Sequence, residues 1–254
     1  MRPTRSLVAV VRVMLSAGVI VGVARQGVAL ADGLKAKPFE FVGAAGDCGT
    51  GYPAGSRIVT ARWLRGMGLP DNGGQNVGAD PTDNPNKGDR HSGLLLSKNG
   101  TTADCSAPGA SIKGVKGIVV TSGFELGFDY RNGGHCGAGA PRFDVVVKLS
   151  DGSESFHFVG GCANGTSAPA FQDPSQWTQV RFDVTNSAQA FPAIPVGSKI
   201  KSIDLIYDEG TDTANNDTQG VGLAVVDNIF IMGKPLITRG PDNDDDDDHD
   251  DHDD

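Results

Sequence analysis

Aromatic residues are scarce in this chain, which has three Tyr, two Trp and eleven Phe among 254 residues. Charged residues make up only 21%, and apart from the N-terminal segment no stretch is apolar enough to cross a membrane. No segment shows helical periodicity over three turns, which argues against a helical protein. Glycine, in contrast, is abundant at 36 residues, and this indicates a globular protein with many turns and loops.

Recognisable catalytic motifs are also missing. The chain has no G-x-S-x-G elbow and no H-E-x-x-H or H-x-H set for a metal. The Glu residues of the body, Glu40, Glu125, Glu154 and Glu209, are distant in sequence, whereas jelly-roll glycosidases often carry two Glu on one strand face. The sequence therefore favours a non-catalytic protein, with a spatially assembled active site as an alternative.

The first 31 residues have the organisation of a secretory signal peptide. Arg2 and Arg5 precede an apolar stretch from Val13 to Val23, and Ala29-Leu30-Ala31 forms a small-x-small cleavage site. Because Arg12 interrupts the apolar stretch, it is short for a membrane anchor of about 20 residues. We expect cleavage after Ala31 and a secreted, periplasmic or extracellular protein without a membrane span.

The chain has four cysteines, an even number, and in an oxidising compartment such cysteines are expected to form disulfides. Cys136 and Cys162 flank a predicted hairpin, which favours a disulfide between them and hence a second one between Cys48 and Cys105. Two other pairings are possible. No pair has the C-x-x-C spacing of a redox or zinc motif, so we expect two structural disulfides.

Strand periodicity dominates residues 32–240, which we interpret as a single domain. Together with the turn-rich composition it predicts an antiparallel β-sandwich or a barrel with long loops, the longest over residues 66–92. In one predicted strand we expect Phe156 and Phe158 to point inward and His157 to point to solvent. The alternating strands are predicted at Pro38–Val42, Arg57–Arg65, Leu94–Ser97, Ile118–Thr121, Phe124–Asp129, Arg142–Leu149, Glu154–Val159, Thr178–Val184 and Ile200–Tyr207.

The segment Val221–Met232 is apolar at both parities, which predicts a central strand covered on both faces. Asp227 shares its parity with Val225 and Ile229, and a buried carboxylate is costly unless it is paired, hydrogen-bonded or bound to a metal. Glu40 in the first predicted strand poses the same problem. The two acids could meet if their strands are neighbours. The alternative for Asp227 is a bulge or strand end where its carboxylate bonds to backbone amides.

Two short motifs resemble jelly-roll β-sandwiches of the carbohydrate-binding-module or galactose-binding-like type. The run from Val226 to Ile231 is similar to their closing "DN-I" strand, and Phe39-Glu40 resembles the "FE" start of some of them. The resemblance implies a structural Ca²⁺ held by Glu40 and Asp227, since this ion prefers oxygen ligands. It also implies glycan binding on aromatic rings, for which Trp63 and Trp177 are the candidates. The body further resembles, in a general way, secreted bacterial β-sandwich proteins of unknown activity.

Two acid-rich segments could also bind divalent cations. Asp208, Asp212 and Asp217 lie in a stretch whose oxygens could surround Ca²⁺, although its spacing is not that of an EF-hand; the alternative is a solvated turn. The tail over 241–254 contains ten Asp, and we expect it to be disordered and to bind divalent cations weakly. The two His residues of the tail could add weak affinity for Zn²⁺, Cu²⁺ or Ni²⁺; they are His249 and His252.

The ten Asp of the tail exceed the whole net charge of −9, so the rest of the chain is nearly neutral. This argues against nucleic acid and anionic membranes as partners. The sequence therefore predicts an exported, non-catalytic β-sandwich that binds an extracellular glycan or another surface component. Alternatives are a matrix protein whose tail binds divalent cations and a jelly-roll hydrolase or lyase. A cleft in which two or more acids converge with an Arg or His would favour the enzyme.

Overall fold

Twelve strands build the protein in the computed structural model, which describes residues 34–55, 58–70, 91–212, 222–238 and 240. No helix among these residues is long and apolar enough to span a bilayer. In chain order the strands are β1 Lys35–Val42, β2 Val59–Arg65, β3 Ser92–Lys98, β4 Ser106–Lys113, β5 Glu125–Arg131, β6 Arg142–Lys148, β7 Glu154–Gly160, β8 Thr166–Pro169, β9 Trp177–Asp183, β10 Ala190–Phe191, β11 Lys199–Ile206 and β12 Leu223–Ile231.

The strands form two six-stranded antiparallel sheets. Sheet 1 has the order β1-β4-β11-β6-β7-β10, and sheet 2 has the order β2-β3-β12-β5-β9-β8. The predicted antiparallel β-sandwich is thus confirmed, and all described residues belong to one compact unit. The predicted signal peptide, most of the 66–92 loop, Asp217 and the tail with His249 and His252 lie outside the described residues.

The core lies between the sheets and consists of the apolar residues that alternate along the strands. Phe143 and Val145 of β6 are completely buried, as are Val180 and Phe182 of β9. Phe128 of β5 packs with its ring centroid 5.8 Å from Phe143 and 6.0 Å from Phe182. Burial of such large side chains contributes about 1.5–3 kcal/mol each and is the main source of stability.

Most predicted strands are confirmed, but three strands were not predicted and one prediction is wrong. The missed strands are β4, β8 and β10, whose small residues, short length or exposure leave no clear alternation. The prediction over Ile118–Thr121 is wrong, since Val119 makes only an isolated bridge with Lys199. Sequence alternation therefore finds strands that bury large side chains and overlooks the others.

His157 of β7 points into the sandwich, not to solvent as predicted. It is 1% exposed, and its Nδ1 lies 2.7 Å from the carbonyl oxygen of Pro192. The reason is strand register: His157 pairs with the completely buried Val145, and paired residues share a face of the sheet. Phe156 is consequently 56% exposed, and Phe158 also lies on the outer face of sheet 1.

Both favoured disulfides are present. The Cα atoms are 5.5 Å apart in Cys48–Cys105 and 5.3 Å apart in Cys136–Cys162. The second disulfide joins the two ends of the β6–β7 hairpin, as its position in the sequence predicts. The first ties the loop after β1 to the residue before β4, and this loop carries Tyr52.

Strand β12 is the predicted central strand, and it is covered on both faces. Val226 and Ile229 face the main core, whereas Val225 packs on the outer side of sheet 2. The ladder to β5 shifts between Asp227 and Phe230, and Asn228 has a φ of 46°. This bulge adds one residue, so Asp227 and Ile229 do not share a face as the simple alternation predicted.

Candidate functional site

Glu40 and Asp227, the two acids of the predicted calcium site, lie in different sheets. Strand β1 is at the edge of sheet 1, whereas β12 lies between β3 and β5 in sheet 2. Glu40 is exposed, and its Oε1 accepts a hydrogen bond from the backbone N–H of Ala61 at 3.1 Å. The expectation that the two acids meet on neighbouring strands is therefore wrong.

The carboxylate of Asp227 is held by backbone amides. Its Oδ2 accepts a hydrogen bond from the N–H of Leu69 at 2.8 Å, and its Oδ1 accepts one from the N–H of Asn228 at 2.6 Å. Burial raises the pKa of Asp227 to about 7, although both amides act to lower it. This is the bulge alternative considered from the sequence. Because Glu40 lies on the edge strand of sheet 1 and Asp227 on the outer side of sheet 2, the two residues do not fit a shared calcium ion.

A buried polar network surrounds Asp227 on the outer side of sheet 2. The Nδ2 of Asn228 donates to Asp129 Oδ2 at 2.8 Å and to Gln172 Oε1 at 2.7 Å, and Arg181 Nη1 lies 3.3 Å from Asp129 Oδ1. Burial raises the pKa of Asp129 and lowers that of Arg181. Each of these groups has a protein partner, so the network serves the fold. It fastens the segment after β2, through Leu69, and the β8–β9 loop, through Gln172, to sheet 2.

Neither predicted tryptophan forms an exposed platform. Trp177 is completely buried and packs with Leu69 and Val225, so it cannot stack on a sugar ring at the surface. Trp63 is half-buried against the main core, and its Nε1 donates to the carbonyl oxygen of Ala36 at 3.0 Å. Any aromatic contact with a ligand must therefore come from other rings.

An open groove of about 580 Å³ lies where loops meet at one end of sheet 1, and we call it the end groove. It is built from the loop after β1, the β3–β4 loop, the ends of β6 and β7, and the segment after β11. This arrangement brings together Asp208 and Asp212, which the sequence predicted, with residues that it did not single out as a site. The side chains that give the groove its chemistry are Tyr52, Arg142, Phe158, Asp208, Glu209 and Asp212.

Hydrogen bonds join two loops of the end groove, the β3–β4 loop that carries Thr102 and the segment after β11 that carries Asp212. Asp212 Oδ1 accepts from both the N–H and the hydroxyl of Thr102 at 2.7 Å, and these bonds lower the pKa of Asp212. The N–H of Gly210 donates to the hydroxyl of Thr102 at 2.9 Å. A Cβ at Gly210 would collide with the carbonyl of Gly100, so a glycine is needed for this close approach.

A buried lysine anchors the same loops. Lys98 is completely buried, and its Nζ donates to the carbonyls of Thr102, Asp104 and Asp208 at 3.0, 3.1 and 3.0 Å. The same Nζ lies 3.1 Å from Asp104 Oδ1. The role of Lys98 was not predicted from the sequence, because lysine at a strand end ordinarily points to solvent. Its parity with Leu94 was the available signal.

Arg142 forms one wall of the end groove. Its Nη1 lies 2.6 Å from Asp208 Oδ1, its Nε lies 3.0 Å from Asp144 Oδ1, and its Cζ lies 4.8 Å from the centroid of the Phe158 ring. Burial opposes the charge of Arg142, but the two carboxylates raise its pKa above the ordinary value. Burial also raises the pKa of Asp144. The guanidinium is thus held over an aromatic ring by two carboxylates.

Exposed aromatic rings extend from the groove over the outer face of sheet 1. Tyr52 is 47% exposed at the groove. The Phe158 ring packs against Phe191, with centroids 6.3 Å apart, and Phe191 is 44% exposed. The aromatic surface expected from two Trp residues is therefore supplied by Tyr and Phe.

Metal binding has no support from clustered ligands within the described part of the chain, where no group of three or more His, Cys, Asp or Glu side chains could hold an ion. No protein family, curated protein or solved structure matches this chain. The fold class, an antiparallel β-sandwich, is thus defined by the structure, and function must be argued from the end groove itself.

Proposed function

We propose that the protein is an exported, non-catalytic β-sandwich that binds an extracellular glycan in the end groove. The observation that carries the proposal is the combination in one open groove of exposed Tyr52, the Phe158 ring and the polar side chains of Arg142, Asp208 and Glu209. The volume of about 580 Å³ is in the usual range for small-ligand sites, about 300–1,000 Å³.

The chemistry of a sugar matches this combination. The C–H face of a pyranose ring is apolar and packs on an aromatic ring such as Tyr52, while its hydroxyls both donate and accept hydrogen bonds. Carboxylates such as Asp208 and Glu209 accept from hydroxyls, and the guanidinium of Arg142 donates to them. The ion pairs of Arg142 hold Arg142 and Asp208 in place before a ligand arrives, which reduces the entropy lost on binding.

A panel of immobilised polysaccharides and a glycan array, each probed with the full chain, test the proposal. We expect retention on at least one glycan, and a loss of about 3- to 10-fold in affinity for Tyr52→Ala and for Phe158→Ala. The control is Phe171→Ala, because Phe171 is 96% exposed but does not line the groove. Absence of retention on every glycan, or equal binding by all three variants and the parent protein, would refute the proposal.

A polysaccharide hydrolase or lyase is a second candidate, favoured by one specific observation. The end groove contains three acids and an arginine, the combination that the sequence analysis required for an enzyme. Glycoside hydrolysis, however, needs a carboxylic acid with a raised pKa as proton donor, and the pKa of Asp212 is lowered by Thr102. Incubation with polysaccharides, followed by assay of reducing ends and unsaturated products, decides the matter. Products that disappear in Glu209→Gln would establish the enzyme.

A further inference from the structure

We infer that the end groove selects glycans with free amino groups, so that its preferred ligand is a cationic amino sugar and not an acetylated or acidic one. The inference rests on the proposed function and adds to it the chemical class of the ligand. It starts from the charges of the groove, where one arginine stands against three carboxylates.

The positive charge in the groove is already compensated. Arg142 contacts two carboxylates, Asp208 at 2.6 Å and Asp144 at 3.0 Å. Lys98, the other nearby cation, is completely buried and makes contacts with three carbonyls and with the carboxylate of Asp104. Neither cation therefore offers an uncompensated positive charge to an acidic sugar.

The remaining negative charge is only partly compensated, since Lys98 also attracts the carboxylate of Asp212. Within the described part of the chain, neither Glu209 nor Asp212 forms an ion pair, although both line the groove. The two hydrogen bonds from Thr102 lower the pKa of Asp212, which keeps its carboxylate ionised at neutral pH. Two carboxylates that line the same groove as the exposed Tyr52 ring present a surface suited to an ammonium group.

An amino sugar complements this surface in three ways. Its ammonium donates three hydrogen bonds, which the carboxylates of Glu209 and Asp212 accept. Its positive charge is attracted by those carboxylates and by the face of the Tyr52 ring. Acetylation of the amine removes the charge, and a uronic acid would bring a like charge into the groove. Selection among glycans is therefore expected to follow the charge of the substituent.

Calorimetry with three defined tetrasaccharides tests the inference, using the full chain. The ligands are the oligomers of glucosamine, N-acetylglucosamine and galacturonic acid. We expect the glucosamine oligomer to bind about fivefold more tightly than its acetylated form at low salt, as two partly exposed charge pairs can supply. The difference should shrink as salt is raised, and the galacturonate oligomer should bind most weakly.

The decisive variant is the double substitution Glu209→Gln with Asp212→Asn. It removes two charges, while the amide oxygen introduced at 212 can still accept from Thr102. The matched control is Glu154→Gln, an exposed acid paired with Lys201 outside the groove. All variants keep the Asp-rich tail, whose attraction for the amine is the same in each, so the double variant gives the preference that arises outside the groove. We expect the fivefold preference to fall to about twofold or less in the double variant and to persist in the control.

The outcomes separate this inference from the proposed function. Equal or tighter binding of the acetylated oligomer, lost in Tyr52→Ala, would overturn the charge selection and leave glycan binding intact. An amine preference that is undiminished in the double variant would also overturn it, because the preference would then arise outside the groove. Absence of binding to these oligomers and to every glycan of the wider panel would overturn both.

Discussion

The Oδ2 of Asp227 accepts a hydrogen bond from the backbone N–H of Leu69 at 2.8 Å, across 158 positions of the chain. This bond fastens the segment after β2 over the outer side of sheet 2, where Leu69 packs with Trp177 and Val225. Gly68 makes the approach possible, since a Cβ there would lie 2.8 Å from Asp227 Oδ2. A single buried carboxylate thus ties a loop to the central strand.

The pKa of Asp227 predicts a pH dependence of stability. Its pKa in the folded protein is about 7 against an ordinary value of 3.8, so the folded state binds this proton more tightly than the unfolded state. The contribution is therefore fully present below about pH 4 and is lost as the pH rises to about 7; the shift corresponds to about 4 kcal/mol. We expect the free energy of unfolding to fall over this interval.

Urea unfolding between pH 4 and pH 8 measures this effect, and Asp227→Asn is the comparison. The amide does not titrate, so the variant should lose most of the fall in unfolding free energy. Asp129 also has a raised pKa and contributes a fall of the same sign in both proteins. Identical pH profiles for the variant and the parent protein would show that Asp227 does not carry the effect.

Removal of the buried lysine should destabilise the protein strongly. Lys98→Met leaves the carboxylate of Asp104 buried without its cation, and we expect a loss of about 3–5 kcal/mol in the free energy of unfolding. The exposed pair of Lys201 and Glu154 provides the control, and Lys201→Met should cost less than about 1 kcal/mol. Similar costs for both substitutions in urea unfolding would contradict the assigned role of Lys98. Adding Asp104→Asn to Lys98→Met should recover part of the loss.

Loss of the Cys48–Cys105 disulfide should weaken glycan binding. This disulfide fixes the loop that carries Tyr52, so Cys48→Ser with Cys105→Ser should reduce affinity as well as stability. The control is Val225→Ala, which should lower stability from the outer side of sheet 2 without changing the groove. Affinity by calorimetry and unfolding by urea are both measured. An unchanged affinity after loss of Cys48–Cys105 would mean that the loop holds its shape without the disulfide.

Calcium titration separates the tail from the sandwich, for which the sequence predicted two further calcium sites. The tail over 241–254 carries ten Asp, and its deletion should abolish weak, multivalent Ca²⁺ binding while leaving urea unfolding unchanged. The reason is that repulsion among these carboxylates favours a cation atmosphere. Calorimetry on the full and truncated chains measures the difference. Identical titrations would exclude the tail, and a stoichiometric site in the truncated chain would place calcium in the sandwich.

Part of the fold followed from local pattern, and part did not. Strands β6, β9 and β12 were predicted because large apolar residues alternate or run continuously along them. Strand β4 was missed because Ser, Ala, Gly and Pro give little contrast between its faces. The orientation of His157 was predicted wrongly, since two neighbouring phenylalanines outweighed it in the pattern. The pairing with buried Val145 decides that orientation, and pairing is not visible in one strand alone.

The candidate site was less predictable than the fold. Asp208 and Asp212 were recognised as acids near a strand end, but their partners Arg142 and Thr102 come from distant segments. Trp177 was proposed as a ligand contact because tryptophan is the common stacking residue, and the structure buries it completely. A sequence pattern reports which residue types are present, whereas stacking depends on which rings remain exposed.

The amino-acid sequence by itself determined the all-β class, the central strand β12 and the anomaly of a carboxylate in that strand, and it favoured the two disulfides that the structure contains. These follow from local alternation, from cysteine positions and from the cost of burying a charge. Only the tertiary structure decided what relieves that anomaly, where His157 points and which residues form the end groove. Five separate segments converge at the end groove, and the carboxylate of Asp227 accepts its hydrogen bond from an amide 158 positions away. Both sets of contacts depend on sheet order and strand register, which a single strand does not reveal.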